Sequence, residues 1–211
     1  MDAFVAAAIH DAKNSLNALG AWLDEAGREC PSPALHQAQT LAARLSAQLV
    51  ELLVLYRAGE GTLRLAIDDH DVADFLADTM AELELTDHRD IAFTCDPGTG
   101  TAIGHWAFDA YLVRFALLDA LRNALRHARS RVALTVALEP GGGMRFTVTD
   151  DGTGFPGDVL DGGVGEMAPG SSGLGIAFAR LIAARHATPG GRHGHVELAN
   201  ANGASFSLVL P

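Results

Sequence analysis

The chain is poor in cysteine, in positive charge and in uninterrupted apolar stretches. Its two cysteines, Cys30 and Cys95, lie far apart and outside any metal-ligand spacing. That excludes a thiolate metal centre and a disulfide framework, and leaves reduced thiols as the expectation. Lysine and arginine number 15 against 26 aspartates and glutamates, for a formal net charge of -11. A protein that reads nucleic acid through its phosphates shows a basic face, so no nucleic-acid partner is expected. No apolar run is expected to span a bilayer, and the first residues, broken by Asp2, His10 and Asp11, lack the form of a signal peptide. A cytoplasmic location is the expectation. Neither internal repeats nor low-complexity tracts occur. What the chain does have is a hydrophobic fraction of 48% over 211 residues, enough to build one large core or two modest ones.

Periodicity organises the first quarter. Val5, Ile9, Ala12, Leu16, Leu19 and Leu23 alternate spacings of four and three, the pattern of a helix with one buried seam. His10, Lys13, Asn14 and Asn17 form a polar stripe beside that seam. Asn is a poor mid-helix residue, so the stripe is unusual as pure architecture. One reading is a solvated face carrying an incidental His. The other is that His10 is a nucleophile, with Asp11 holding one ring N–H or taking its proton. Cys30-Pro31-Ser32-Pro33 breaks the helix. The pattern restarts at Leu35, Ala38, Ala42, Leu45, Leu49, Leu52 and Tyr56, predicting a helical hairpin. One hairpin cannot cover both seams, so pairing with a second copy into a dimeric four-helix bundle is expected.

Gly59-Glu60-Gly61 ends the second helix and sets the expected boundary, with domains at 1–60 and 61–211. Beyond it, strands are predicted at Thr62–Ile67, Ile91–Cys95, Arg131–Leu138, Met144–Thr149, Val196–Leu198 and Ser205–Leu210. Helices are predicted at Val72–Leu85, about Phe108–Ala128 and Leu174–His186. Mixed strands with helices on one side make an α+β sandwich.

Three stretches carry further chemistry. In Asp119-Ala-Leu-Arg-Asn123-Ala-Leu-Arg126-His127, the Asp, Asn and Arg share one helix face whose surroundings are apolar. They suit Mg²⁺ and phosphate, although an Asp–Arg pair on a surface helix has the same spacing. In Asp150-Asp151-Gly152-Thr153-Gly154, a strand ends in an acid and a Gly-x-Gly turn. Asp150 can accept a purine amino group, although the same residues can simply make a tight turn. Gly170-Ser-Ser-Gly173-Leu174-Gly175 opens a helix whose N–H groups can seat phosphates. It is not a Walker loop, since no Gly-Lys-Ser/Thr follows, and its spacing is not the dinucleotide fingerprint.

The ordered set His10-Asp-x-x-Asn14, Asn123 with its flanks, Asp150-x-Gly-x-Gly and Gly173-Leu-Gly175 resembles the two-domain core of bacterial sensor histidine kinases over essentially the whole chain. The resemblance implies a phosphorylated His10 on a dimeric hairpin and an ATP-binding domain of the Bergerat (GHKL) type. It implies that Asn123 holds Mg²⁺ and that Asp119 stands where kinases commonly have Asn. Arg126 would replace a phosphate-contacting Lys, with His127 closing that motif. Asp150 would read adenine with Gly152 and Gly154 beside the ring, and Gly170, Gly173, Leu174 and Gly175 would bracket lid and triphosphate. The implied activity is autophosphorylation from Mg²⁺·ATP with Asp11 as base or orienter. Transfer to a response-regulator receiver domain would follow, and Asn14 could orient water for the reverse reaction. The short distance from Met1 to His10 is expected to leave no room for an input module. It also resembles ATP-independent phosphotransferases that dock receivers. Asp119 resembles the carboxylate of GHKL ATPases, and the fold is shared with serine kinases.

Overall fold

The structure, a computed structural model, describes residues 2–84, 91–95, 102–161 and 173–211. It divides into two compact units, Met1–Leu63 and Arg64–Pro211.

The first unit is a hairpin of α1 (Asp2–Glu29) and α2 (Pro33–Gly59). Ser32 starts the second helix. Its backbone is extended, its hydroxyl accepts from Leu35 N at 3.2 Å, and Pro33 follows in the first turn, where a missing N–H costs nothing. Three hydrogen bonds fix the register between the helices. Gln39 Nε2 donates to Leu23 O at 3.3 Å and to Asp24 Oδ1 at 2.9 Å, and Ser46 Oγ donates to Asn17 Oδ1 at 3.0 Å. The seam is only partly closed: Ile9 and Ala42 are buried, whereas Leu19, Leu41, Leu45 and Leu52 are exposed and Trp22 is 67% exposed. By length and composition α2 is apolar enough to cross a membrane, with mean hydropathy 1.2 in its most apolar window, a test that the core helix of a soluble protein also passes. Leu, Val and Ala recur all round this helix, and single polar residues such as Arg44 and Gln48 do not offset them.

The second unit is α+β. A five-stranded sheet runs in the order β2 (Ala92–Cys95), β4 (Arg131–Leu138), β5 (Met144–Asp150), β7 (Ala204–Leu210), β6 (His195–Asn200). Among the described residues only the β2–β4 pairing is parallel. Register places Leu134, Val148 and Phe206 in one row across three strands, with Val136, Phe146 and Leu208 in the next. All six are buried, so one face of the sheet is the core face. Helices α3 (Val72–Glu84), α4 (Ala110–His127) and α6 (Leu174–Arg185) supply the covering layer, α4 meeting β4 and β5 and α6 meeting β6 and β7, and the short α5 (Gly157–Leu160) follows β5. Phe75, Phe108 and Phe146 form an aromatic cluster at centroid distances of 4.9, 5.6 and 6.3 Å.

A two-stranded ribbon, β1 (Asp68–Asp71) with β3 (His105–Phe108), was not expected. The strand predicted at Thr62–Ile67 does not form. Thr62 and Leu63 donate to Arg57 O as the tail of α2, and Ala66 N is taken by the Asp109 carboxylate, so no ladder is available to them. The long helix begins at Ala110 rather than Phe108, because Asp109 Oδ1 caps it by accepting from Leu112 N at 3.0 Å. Asp109 N in turn donates to His186 Nε2 at 3.0 Å, and His186 Nδ1 donates to Ile182 O at 2.8 Å. This buried chain of bonds joins the start of α4 to the end of α6. Burial holds the His186 imidazole below its ordinary range, against the pull of the Ile182 carbonyl and the Asp109 carboxylate.

Candidate functional site

The middle of α4 brings three expected residues onto one stripe. Asn123 Nδ2 donates to Asp119 Oδ2 at 3.2 Å, and Arg126 donates to Asn123 Oδ1 at 3.4 Å. The Asp119 carboxyl is pushed up from its usual range. Burial is the largest cause and outweighs the charges of Arg122 and Arg126 and the Asn123 bond, which act the other way.

The neighbouring acids at the end of β5 differ in role. Asp150 Oδ1 accepts from Gly152 N at 2.7 Å and from Ala204 N at 3.2 Å, leaving Oδ2 unengaged among the described residues. Asp151 is architectural. Its carboxylate accepts from the Ser130 hydroxyl and from the backbone N–H groups of Arg129, Ser130 and Arg131, which hold it well below the usual carboxylate range and tie β5 to the start of β4.

Two glycines are required by close approach. In the first turn of α6, a Cβ at Gly175 would fall 2.0 Å from Asp119 Oδ2, so only glycine lets this helix start close over the carboxylate. At Gly152 a Cβ would lie 2.3 Å from the backbone oxygen of His127.

These elements enclose a cavity of about 250 Å³. Asp119, Asn123, His127, Asp150, Gly154, Gly173 and Gly175 line it, with apolar walls from Val148, Phe155, Val159 and Phe206. Three expected residues stand off it. Gly152 is buried against the His127 backbone, Leu174 lies in the first turn of α6, and exposed Arg126 reaches the site through Asn123. Gly170 and most of the expected lid lie outside the described residues. On the hairpin, Asp11 and Asn14 are exposed on α1. His10 is on the same helix, and its side chain lies outside the described residues.

The apolar walls were missed as site residues, although the alternation in β7 marks Phe206 as core-facing. Asn200, which bonds the backbone of Phe155, gave no signal at all. Its partner is 45 residues away.

Among the described residues no three His, Cys, Asp or Glu side chains cluster closely enough to hold a metal alone. The cavity offers instead the Asp119 carboxylate and the Asn123 carbonyl. A few hard oxygens, completed by phosphate and water, are what Mg²⁺ accepts, so the donor set fits that ion.

Residues 108–211 match the family model of histidine kinase-, DNA gyrase B-, and HSP90-like ATPases, the class of ATP-binding domain that this fold and cavity define. The signal transduction histidine-protein kinase AfsQ2 of Streptomyces coelicolor is 30% identical over 188 residues, which is 85% of this chain and 33% of that one. The sensor-like histidine kinase SenX3 of Mycolicibacterium smegmatis is 25% identical over 99% of this chain and 56% of its own length. The family model and both relatives indicate the ATPase core of a two-component sensor histidine kinase. It spans about a third and about half of these two relatives. The fold is shared with the histidine kinase AdeS of Acinetobacter baumannii, with TM-score 0.61, 14% identity and coverage of 93% of this chain and 95% of that one. It is shared too with full-length ShkA solved with AMPPNP, with TM-score 0.66, 20% identity and coverage of 100% of this chain and 46% of that one.

Proposed function

We propose that this chain is a histidine autokinase that transfers the γ-phosphate of ATP to His10 and from there to an aspartate of a response-regulator receiver domain. Residues 1–60 act as the dimerisation and phosphotransfer hairpin, and residues 61–211 as the catalytic ATP-binding domain. The observation that carries the reading is the convergence of Asp119 and Asn123, Asp150, and the glycine-opened start of α6 on one cavity.

Each part has a chemical task. Asp150 Oδ2 accepts from the exocyclic amino group of adenine, and Val148, Phe155 and Phe206 take the faces of the ring. Backbone N–H groups at the start of α6 receive phosphate oxygens. Asn123 and Asp119 would hold Mg²⁺, which when bound would supply charge neutralisation for the transferring group. Arg126 keeps Asn123 oriented and adds positive charge, and His127 adds a ring donor at the same end. On the hairpin, one ring nitrogen of His10 attacks phosphorus as the bond to the ADP oxygen breaks, while Asp11 holds or takes the ring proton. Asn14, one turn on, orients water for dephosphorylation of the receiver. The exposed Leu19, Trp22, Leu41, Leu45 and Leu52 support a homodimer whose second copy covers them.

Incubation of the chain with γ-labelled ATP tests this. Acid-labile, base-stable label is expected on the wild type, none on His10→Ala, and a loss of more than about a hundredfold in Asn123→Ala with its dimer intact. Label that survives His10→Ala contradicts the reading. A second reading, ATP hydrolysis without labelled protein, draws support from the buried Asp119 carboxylate beside Asn123, which could take a proton from water. An ATP-independent phosphotransferase that docks receivers would need no such cavity.

A further inference from the structure

We propose that Asn200 is a positioning residue for the nucleotide cavity: its side-chain amide holds the Gly154–Phe155 wall in place from the far edge of the sheet. The inference rests on the proposed nucleotide site and deepens it.

Asn200 is the last residue of β6, the edge strand. Its Oδ1 accepts from Phe155 N at 2.8 Å and its Nδ2 donates to Phe155 O at 2.8 Å. An Asn amide used in this way imitates one step of a β-ladder. It pins both backbone groups of a residue that has no strand partner. The pinned residue lines the cavity, and so do its neighbours Gly154 and Pro156. Gly154 has φ +81, and a Cβ there would stand 2.7 Å from the Asn200 side chain, so the backbone passes directly over the amide. Four residues on from Asn200, Ala204 N donates to Asp150 Oδ1. The β6–β7 turn therefore grips the cavity wall on both sides of Gly152, by a main-chain bond to Asp150 and a side-chain clamp on Phe155. A wall held at two points is pre-organised for a flat ring, and releasing one point lets it move before any ligand arrives.

Because Asn200 does not itself line the cavity and acts through Gly154 and Phe155, its loss should weaken nucleotide capture and spare the transfer step. Equilibrium binding of Mg·ATP to the full chain, together with KM and kcat for autophosphorylation, separates these effects. In Asn200→Ala, Kd and KM are expected to rise about tenfold with kcat within about twofold. Asn200→Asp keeps the acceptor for Phe155 N and loses the donor to Phe155 O, so its Kd should fall between the two. Asn202→Ala, in the adjoining turn, serves as the control and should match the wild type. Wild-type affinity in Asn200→Ala would overturn the assignment while leaving the nucleotide reading intact, and so would a fall in kcat without a rise in KM. Absence of Mg·ATP binding by the wild type itself would overturn both. Should Asn200→Ala fail to fold, the Asn200→Asp arm decides, since unchanged affinity there contradicts the two-bond clamp.

Discussion

The two units use buried surface in opposite ways. The sheet unit closes its core around Phe75, Phe108 and Phe146 and places its polar chemistry in a walled cavity, where burial shifts the Asp119 carboxyl and glycines allow approaches that a Cβ would block. The hairpin keeps Asp11 and Asn14 in the open and leaves large apolar side chains, Trp22 foremost, without cover in the single chain. A site that must hold a ligand is built inside a packed body. A site that must present one side chain to other proteins is built on a surface that a second copy can complete.

The contrast can be broken at its strongest point by Phe146→Ala. This removes a fully buried ring, and a loss of about 3–5 kcal/mol is expected for the sheet unit. Chemical denaturation should then show that unit unfolding first while the dimer persists. Simultaneous loss of both would mean that the units are one cooperative body. Trp22→Ala probes the other side. Sedimentation should show a dimer weakened by about thirtyfold, with ATP affinity unchanged. An unaltered association constant would remove Trp22 from the proposed interface.

The smallest effect sharpens the comparison by pH. His186 is buried and accepts a backbone N–H at Nε2, so it folds neutral, with its pKa lowered from 6.5. Between the folded and unfolded values the unfolded chain binds more protons, so stability rises with pH. It is present in full above about 6.5 and is lost as pH falls below that value toward the folded pKa. Melting of the sheet unit followed across this window should show that slope, and His186→Gln, which cannot titrate, should flatten it. The hairpin transition should be indifferent. An equal slope in His186→Gln would place the titration elsewhere. A separate acid limb is expected far lower, where Glu197, held down to about 2 mainly by Arg145 and then by His195, becomes protonated.

What was readable beforehand follows from the range of the interactions. Helix periods, the Pro loop at Cys30–Pro33 and the motifs at Asp119–His127, Asp150–Gly154 and Gly173–Gly175 are local, so residue order alone exposes them. The errors sit where a distant partner decides. Thr62–Ile67 alternates like a strand, but the Asp109 carboxylate captures Ala66 N. Asp68–Asp71 has no apolar residue and so no strand alternation, yet it pairs with His105–Phe108. In the site, the motif residues were recognisable by chemistry. The Asn200 clamp, the approach of Asp119 to Gly175 and the His186–Asp109 link each need two segments brought together by the fold. They have no sequence signature of their own.

The central claim is that the cavity between α4, α6 and Asp150 is an ATP site serving the hairpin. Calorimetric titration of the full chain with Mg·ATP tests it most directly. One saturable site per chain, abolished in Asn123→Ala and retained in His10→Ala, is the predicted result. No heat of binding up to millimolar nucleotide, or equal binding by Asn123→Ala, would contradict it.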